Sequence, residues 1–511
     1  MKRIIISTLF LLLIVTSCKH QTQNIITEVT PWGKQIFYVP TFNQQQYNIT
    51  AFGATTDSTI NNQQAIQTAI DKCNKEGGGT VIIPEGVWRT AYLELKSNVN
   101  LNLAKGSVLS FIDSIPLYAV PTFTRWEGLE CMNYHPFIYS KDQENVAITG
   151  EGIVKGNAQV WWDLAKTTQL ESLKKLYDLV EAGIEPVKRN CLDFDPTSYL
   201  RPSLIQFVNC KKVLVEGIEL QSGPMWTTHF IYCESVIARN LSVITVGRNN
   251  DGIIPDACNG VLIDNCYFST GDDCIVIKSG LNEDGWRVGK ACENLVIKNC
   301  KTKHGHGGVV IGSEMSGGVR NLYAHDCDFS ETERGLRIKS MKGRGGVIEN
   351  LWFENIRMDN IKREAIQINM HYGSSSIQPR TDSLPTFRNI HYKNIFSNNS
   401  QYAVRVKGID NQFVDQIFFE NLKMNSKRGI VLENTQNATF KNVKSETVKE
   451  YPVSLINVNN IDFKTIKLIS ENDTMLNVNK DVKNVTFDIV NNADFKVLNN
   501  NPSTNPEISI Q

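Results

Sequence analysis

Four short motifs carry the residues best suited to acid–base chemistry: Asn249-Asn250-Asp251-Gly252, Gly271-Asp272-Asp273-Cys274, His304-Gly305-His306-Gly307 and Arg337-Ile338-Lys339. They follow one another at roughly 20 to 40 residues, the interval of stacked repeats. If each interval is one coil, three carboxylates, a histidine and two cations share a face. Clustered carboxylates repel when ionised, so one is pushed to hold a proton near neutrality. That supplies a general acid beside a general base, as cleavage of a glycosidic bond requires. His306 can tune the acid by charge or hydrogen bonding. Arg337 and Lys339 can pair with a substrate carboxylate, the arginine in bidentate fashion.

Each motif alone has a plainer reading. An Asp-Asp pair before a strand is commonly a turn or solvated loop. His-Gly-His-Gly suggests a metal loop, but two histidines at i and i+2 without further ligands are a weak metal signal. Arg-Ile-Lys is usually an exposed strand face. Their order and shared phase within a repeat favour one joint site.

The elements that must position them are β-rich. Asn145-Val146-Ala147-Ile148, Lys212-Val213-Leu214-Val215, Gly260-Val261-Leu262-Ile263, Asn294-Leu295-Val296-Ile297, Asn350-Leu351-Trp352-Phe353 and Asn484-Val485-Thr486-Phe487 are instances of one recurring pattern. A second column aligns Cys274 to Lys278, Gly308 to Gly312, Gly335 to Lys339, Ala365 to Asn369, Ala403 to Lys407 and Gly429 to Glu433. Strand side chains alternate between faces, so Ile275, Val309, Leu336, Ile366, Val404 and Ile430 point inward. Two strand columns per repeat without intervening long helices predict an all-β, single-stranded right-handed parallel β-helix. Each repeat is too short to close its own core, and stacking solves that. Extended backward, the register places Asp251 one rung from Asp273, and Asp272 one rung from His306. A slip of one residue would reverse every face. Residues 59–75 predict a capping helix beginning at Asn61 or Asn62 and stopped by Gly77-Gly78-Gly79. Residues 164–182 predict a helical excursion beside the groove.

Composition narrows the class. The chain has 511 residues, 41% hydrophobic, and a formal net charge of zero. That balance argues against non-specific nucleic-acid binding. The start, Met1-Lys2-Arg3 followed by an apolar run to Val15, reads as a secretory leader over residues 1–17, too short for a stable membrane span. Val15-Thr16-Ser17-Cys18 resembles the bacterial lipobox. That resemblance implies lipidation of Cys18 and export to the outer membrane, with the lipid as the sole membrane contact. Residues 18–46 read as a polar tether, and residues 47–511 as the solenoid, expected to be a monomer. Cys266, Cys300 and Cys327 share one phase of the repeat, as buried small apolar residues would.

These residues resemble glycoside hydrolase family 28, the polygalacturonases, from about Ala51 to Tyr372. Phe52-Gly53-Ala54, Gly77-Gly78-Gly79-Thr80-Val81, Leu95-Lys96-Ser97-Asn98-Val99, Ile148-Thr149-Gly150-Glu151-Gly152 and Trp161-Trp162 look like its landmarks, and the four motifs look like its catalytic set. The resemblance implies a pectin-lyase-like solenoid and an inverting hydrolase acting on pectic polysaccharides or oligogalacturonides, with exo-action favoured by the excursion. It implies Asp272 as general acid, Asp251 and Asp273 as the water-activating pair, and His306 as support for the acid. Arg337 and Lys339 match the carboxylate-binding pair, with Asn249 and Tyr372 as further substrate contacts. No metal and no cofactor are implied. Three departures bear on substrate: Asn250 stands where many members have Thr, Ile254 where a bacterial subgroup has Asp, and Gly156-Asn157-Ala158 lacks the usual acidic character. Ile254 is expected to alter a subsite. Rhamnogalacturonan hydrolysis, a calcium-dependent pectate lyase and a non-catalytic glycan-binding β-helix are the competing readings.

Overall fold

The computed structural model describes residues 24–194, 200–373, 381–490, 495–501 and 505–511. The leader and Cys18 lie outside the described residues. The chain forms a right-handed parallel β-helix, and its middle coils contribute three strands each, not the two expected. Ile205–Val208, Lys211–Glu216 and Glu219–Gln221 make one coil; Thr228–Ile231, Glu234–Arg239 and Ser242–Ile244 make the next. The third strand is only three residues long in these coils. That is too short for a period of two to emerge from sequence.

The inward positions form the core. Ile275, Val309, Leu336, Ile366, Val404 and Ile430 have no exposed surface. Farther along, rings stack coil on coil, with Phe419–Phe440 centroids 4.3 Å apart and Phe463–Phe487 also at 4.3 Å. All eleven described cysteines are buried and free.

The recurring asparagines have a backbone reason. Asn294, Asn321, Asn350 and Asn389 turn each corner with φ of 61°, 55°, 57° and 54°. Asparagine tolerates this left-handed conformation better than other residues with a Cβ. Their amides also form a ladder: Asn321 Nδ2 donates to Asn294 Oδ1 at 3.0 Å, and Asn389 Nδ2 to Asn350 Oδ1 at 2.6 Å. A stacked amide row ties each coil to the one before it.

Helix α1 (Gln63–Lys75) caps the N-terminal end, burying Ile66, Ala69, Ile70 and Cys73 in the main core. Asn61 Oδ1 accepts from Gln63 N at its start. The expected tether is shorter than predicted. Strands Ile25–Thr30 and Gly33–Tyr38 form an antiparallel hairpin. Phe37, with Ile26, Val39 and Phe42, covers an outward apolar row of Ala147, Leu214, Ile237, Leu262 and Val296. That partner surface comes from coils distant in sequence, so a local polar pattern could not reveal it.

The excursion expected over residues 164–182 is α3 (Gln169–Glu181), and a shorter helix before it, α2 (Gln159–Ala165), was not expected. Leu173, Leu176, Tyr177 and Val180 of α3 lie over Ile254, Val276 and Val310. Ile254 does point outward beside Val276, as the register requires, but it is fully buried under α3. It therefore lines no subsite; its apolar character matches the cover above it. An antiparallel hairpin, Thr122–Trp126 with Leu129–Asn133, adds Trp126 and Leu129 to the same cluster. A short helix, α4 (Asn282–Val288), is a further insertion that the repeat pattern did not show. No helix among the described residues is long and apolar enough to cross a membrane.

Candidate active site

Register assembles the carboxylates. Ile253 pairs with Ile275, Ile275 with Val309, and Val309 with Leu336, so the motifs lie on successive rungs. Gly252 N donates to Asp273 O, and His306 N donates to Asp272 O at 2.9 Å. The sequence register is therefore observed at Asp251–Asp273 and at Asp272–His306. One oxygen from each of Asp251, Asp272 and Asp273 lies within 4.8 Å of the others. Close loop packing makes this possible: a Cβ on Gly271 would sit 2.1 Å from Gly247 O. Asn250 is buried and braces the same loop, donating to Gly223 O and Met225 O. Its departure from Thr is structural.

The three carboxylates differ in surroundings. Asp273 is paired with Lys339, Oδ2 to Nζ at 2.8 Å, both buried. Asp272 Oδ1 lies 3.0 Å from His306 Nδ1 and accepts from Asp273 N at 2.9 Å. Burial pushes Asp272 up, but the His306 hydrogen bond and charge, with Lys339 and Lys278, outweigh it and hold Asp272 at about 2. The same bond raises His306. Asp251 is pushed well above the carboxylate range by burial and by the charges of Asp272 and Asp273, against the pull of Lys278. Burial and its two acidic neighbours therefore favour the neutral form of Asp251. Asp251 Oδ1 and Asp273 Oδ1 are buried and accept no hydrogen bond from the described residues. His304 turns away, its Nε2 3.6 Å from Glu331, so the two histidines do not converge.

The cluster opens into a cavity of about 320 Å³, walled by Ala165 to Leu173 of the α2–α3 excursion on one side. Glu127, Trp226, Arg248, Asn249, Lys278, Glu314, Lys339 and Tyr372 complete the lining. The excursion beside the groove is thus observed. Asn249 Oδ1 accepts from Arg201 Nη2 at 2.8 Å. Tyr372 presents its ring to both cations, 5.1 Å from Lys339 Nζ and 5.5 Å from the Arg337 guanidinium. The expected cation pair is divided: Lys339 faces Asp273, while Arg337 donates from Nε to Gln367 Oε1 at 3.0 Å and lines a neighbouring cavity.

Several residues escaped the sequence reading. Lys278 is buried, ion-paired with Glu314, and lies 4.6 Å from the Trp226 ring centroid. It occupies the outward position after Ile277, in the row that leads to Lys339, so register could have found it. Arg201 is buried and braces the wall, donating to Pro224 O, Arg248 O and Gln169 Oε1. Glu127 sits at the tip of the inserted hairpin with φ of 42°. Burial and the charge of Glu314 raise it to about 7. Nothing local in the sequence marks Arg201 or Glu127.

A parallel β-helix with three carboxylates gathered in a cleft, one of them bound to a histidine, is the arrangement of a glycoside hydrolase. The family model for glycosyl hydrolases family 28 matches residues 195–398. The hyperthermoactive exopolygalacturonase of Thermotoga maritima is 35% identical in sequence, with 84% of this chain and 94% of that one covered and a TM-score of 0.73. An exo-poly-alpha-D-galacturonosidase of Dickeya chrysanthemi is 25% identical over 427 residues, 78% of this chain and 70% of the relative. A probable polygalacturonase of Vitis vinifera is 28% identical over 372 residues, 70% of each. The chain belongs to glycosyl hydrolase family 28.

Proposed function

We propose that this hydrolase cleaves α-galacturonosidic bonds of pectic polysaccharides or oligosaccharides from a chain end. The observation that carries the reading is the acid–base cluster at the floor of a cavity walled by α2–α3 and the Glu127 hairpin, with cations at its edge. The likeness to the Thermotoga maritima exopolygalacturonase supports it.

Asp272 is the general acid, and Asp251 with Asp273 orients and deprotonates water through their unpartnered inner oxygens. Turnover requires Asp272 protonated and Asp251 ionised. Substrate binding excludes water and brings a glycosidic oxygen to Asp272, which favours its neutral form. His306, raised and in hydrogen-bond contact, can return a proton to Asp272 along that bond. Inverting enzymes commonly hold their carboxyl groups about 6.5–9.5 Å apart, and the nearest oxygens here are closer. Inversion requires the water held by Asp251 and Asp273 to attack from the face opposite the leaving group.

Digestion of polygalacturonate followed by product separation tests both points. Saturated monogalacturonate should appear first, and proton NMR should show it initially as the β-anomer. A ladder of oligomers would mean endo-action; the α-anomer first would mean retention; no product would end the reading. An unsaturated product made only with calcium would mark a lyase instead.

A further inference from the structure

Beyond Tyr372, on the side of the C-terminal coils, lies a second cavity of about 260 Å³. Arg334, Arg337, Arg363, Arg405 and Lys407 line it, and Tyr372 is a wall common to both cavities. The coil register explains how these cations meet. Arg337 pairs with Gln367 and Gln367 with Arg405; Lys339 pairs with Asn369 and Asn369 with Lys407. The Arg-Ile-Lys of one coil is therefore repeated as Arg405-Val406-Lys407 two rungs along, roughly 9–10 Å away. Gln367 and Asn369, neutral hydrogen-bonding residues, occupy the rung between.

A structural role accounts for only part of this charge. Buried Glu364 anchors the group, 3.0 Å from Arg334 Nε, 3.2 Å from Arg405 Nη1 and 3.9 Å from Arg363 Nε. Glu333 lies 3.1 Å from Arg334, and Glu433 lies 3.5 Å from Lys407. Five cations thus face three carboxylates. Arg337 has no carboxylate partner among the described residues, and Arg405 engages Glu364 through one nitrogen only. A surplus of like charge gathered in one hollow is unfavourable until an anion enters it. Guanidinium forks with free nitrogens suit a planar carboxylate.

We propose that Arg363, Arg405 and Lys407 form a second carboxylate-recognition site, which takes another uronate of the same substrate chain while the first is held beside Tyr372. The inference rests on the uronide-hydrolase reading above. It makes the enzyme select for consecutive unesterified uronates, since a methyl ester removes the charge the hollow is built for.

The test is an Arg405→Gln/Lys407→Gln double variant, with Arg334 left to hold Glu364 and thermal unfolding run beside it. kcat and KM are measured on galacturonate oligomers from dimer to pentamer. The dimer should be cleaved within about twofold of wild type, while the longer oligomers lose about tenfold or more in kcat/KM, mainly through KM. Arg405→Lys should restore part of that loss. Equal effects at every length, or none at any length, would overturn the site. Should the wild type cleave none of the oligomers, the parent reading fails first; calorimetric binding of the pentamer to wild type and variant then still reads the site, and equal affinities would overturn it.

Discussion

Asp272 and His306 share the bond on which the pH response turns. The carboxylate is held at about 2, and the imidazole is raised above its ordinary value by the same contact. A lowered carboxylate stabilises the fold above its unfolded value of about 3.9, and loses that contribution as pH falls through its folded value. A raised histidine stabilises below its unfolded value of about 6.5, and loses its contribution as pH rises through its folded value. The bond is therefore at full strength between about pH 4 and pH 6.5. His306→Gln should lower the unfolding temperature most in that window, with the difference from wild type shrinking on both sides. Thermal unfolding across pH checks this. A difference that grows steadily above pH 7 would place the stabilising form of His306 in the neutral state.

The inserted elements set where the substrate stops. α3 buries its apolar face on Ile254, Val276 and Val310, so the wall is anchored by a core of its own. The facing hairpin brings Glu127 into the cavity, where its carboxylate has no hydrogen bond from the described residues that would fix it elsewhere. A carboxyl group there can exchange hydrogen bonds with terminal sugar hydroxyls and close the end of the cavity. Glu127→Ala should shift the products of polygalacturonate from monomer alone toward a mixture with short oligomers, read by anion-exchange separation. Unchanged monomer release would assign the end-stop to α2–α3 alone. These walls were the least legible part of the sequence. The helical spacing of α3 was legible, but α2 was not, because its seven residues are too few for a helical period to stand out. The Glu127 hairpin and the residue 25–38 hairpin earn their places through partners more than 100 residues away.

At the scale of the whole molecule, the solenoid converts spacing into proximity. Alternation within strands fixed which side chains enter the core, and the six inward positions from Ile275 to Ile430 in the second column are all buried. The same register, carried backward, put Asp251 beside Asp273 and Asp272 beside His306. Legibility ended where side-chain direction or charge depends on several coils together. The different surroundings of Asp251 and Asp272 come from burial and from His306, Lys278 and Lys339, not from motif order. Arg337 belongs to the second cavity because Gln367 draws its guanidinium there. The third strand of the middle coils and the bracing by Arg201 left no periodic trace.

Register carries Asp272 into the cleft beside His306, and the proton it donates there is the step on which hydrolysis depends. Turnover of polygalacturonate by the wild type and by Asp272→Asn, with oligogalacturonate affinity measured on both, tests it most directly. The account predicts saturated monogalacturonate from the wild type. For the variant it predicts a kcat lower by about 10²–10⁴ or more, with affinity preserved. A variant that still turns over at the wild-type rate, or a wild type that binds the polymer without hydrolysing it, would contradict it.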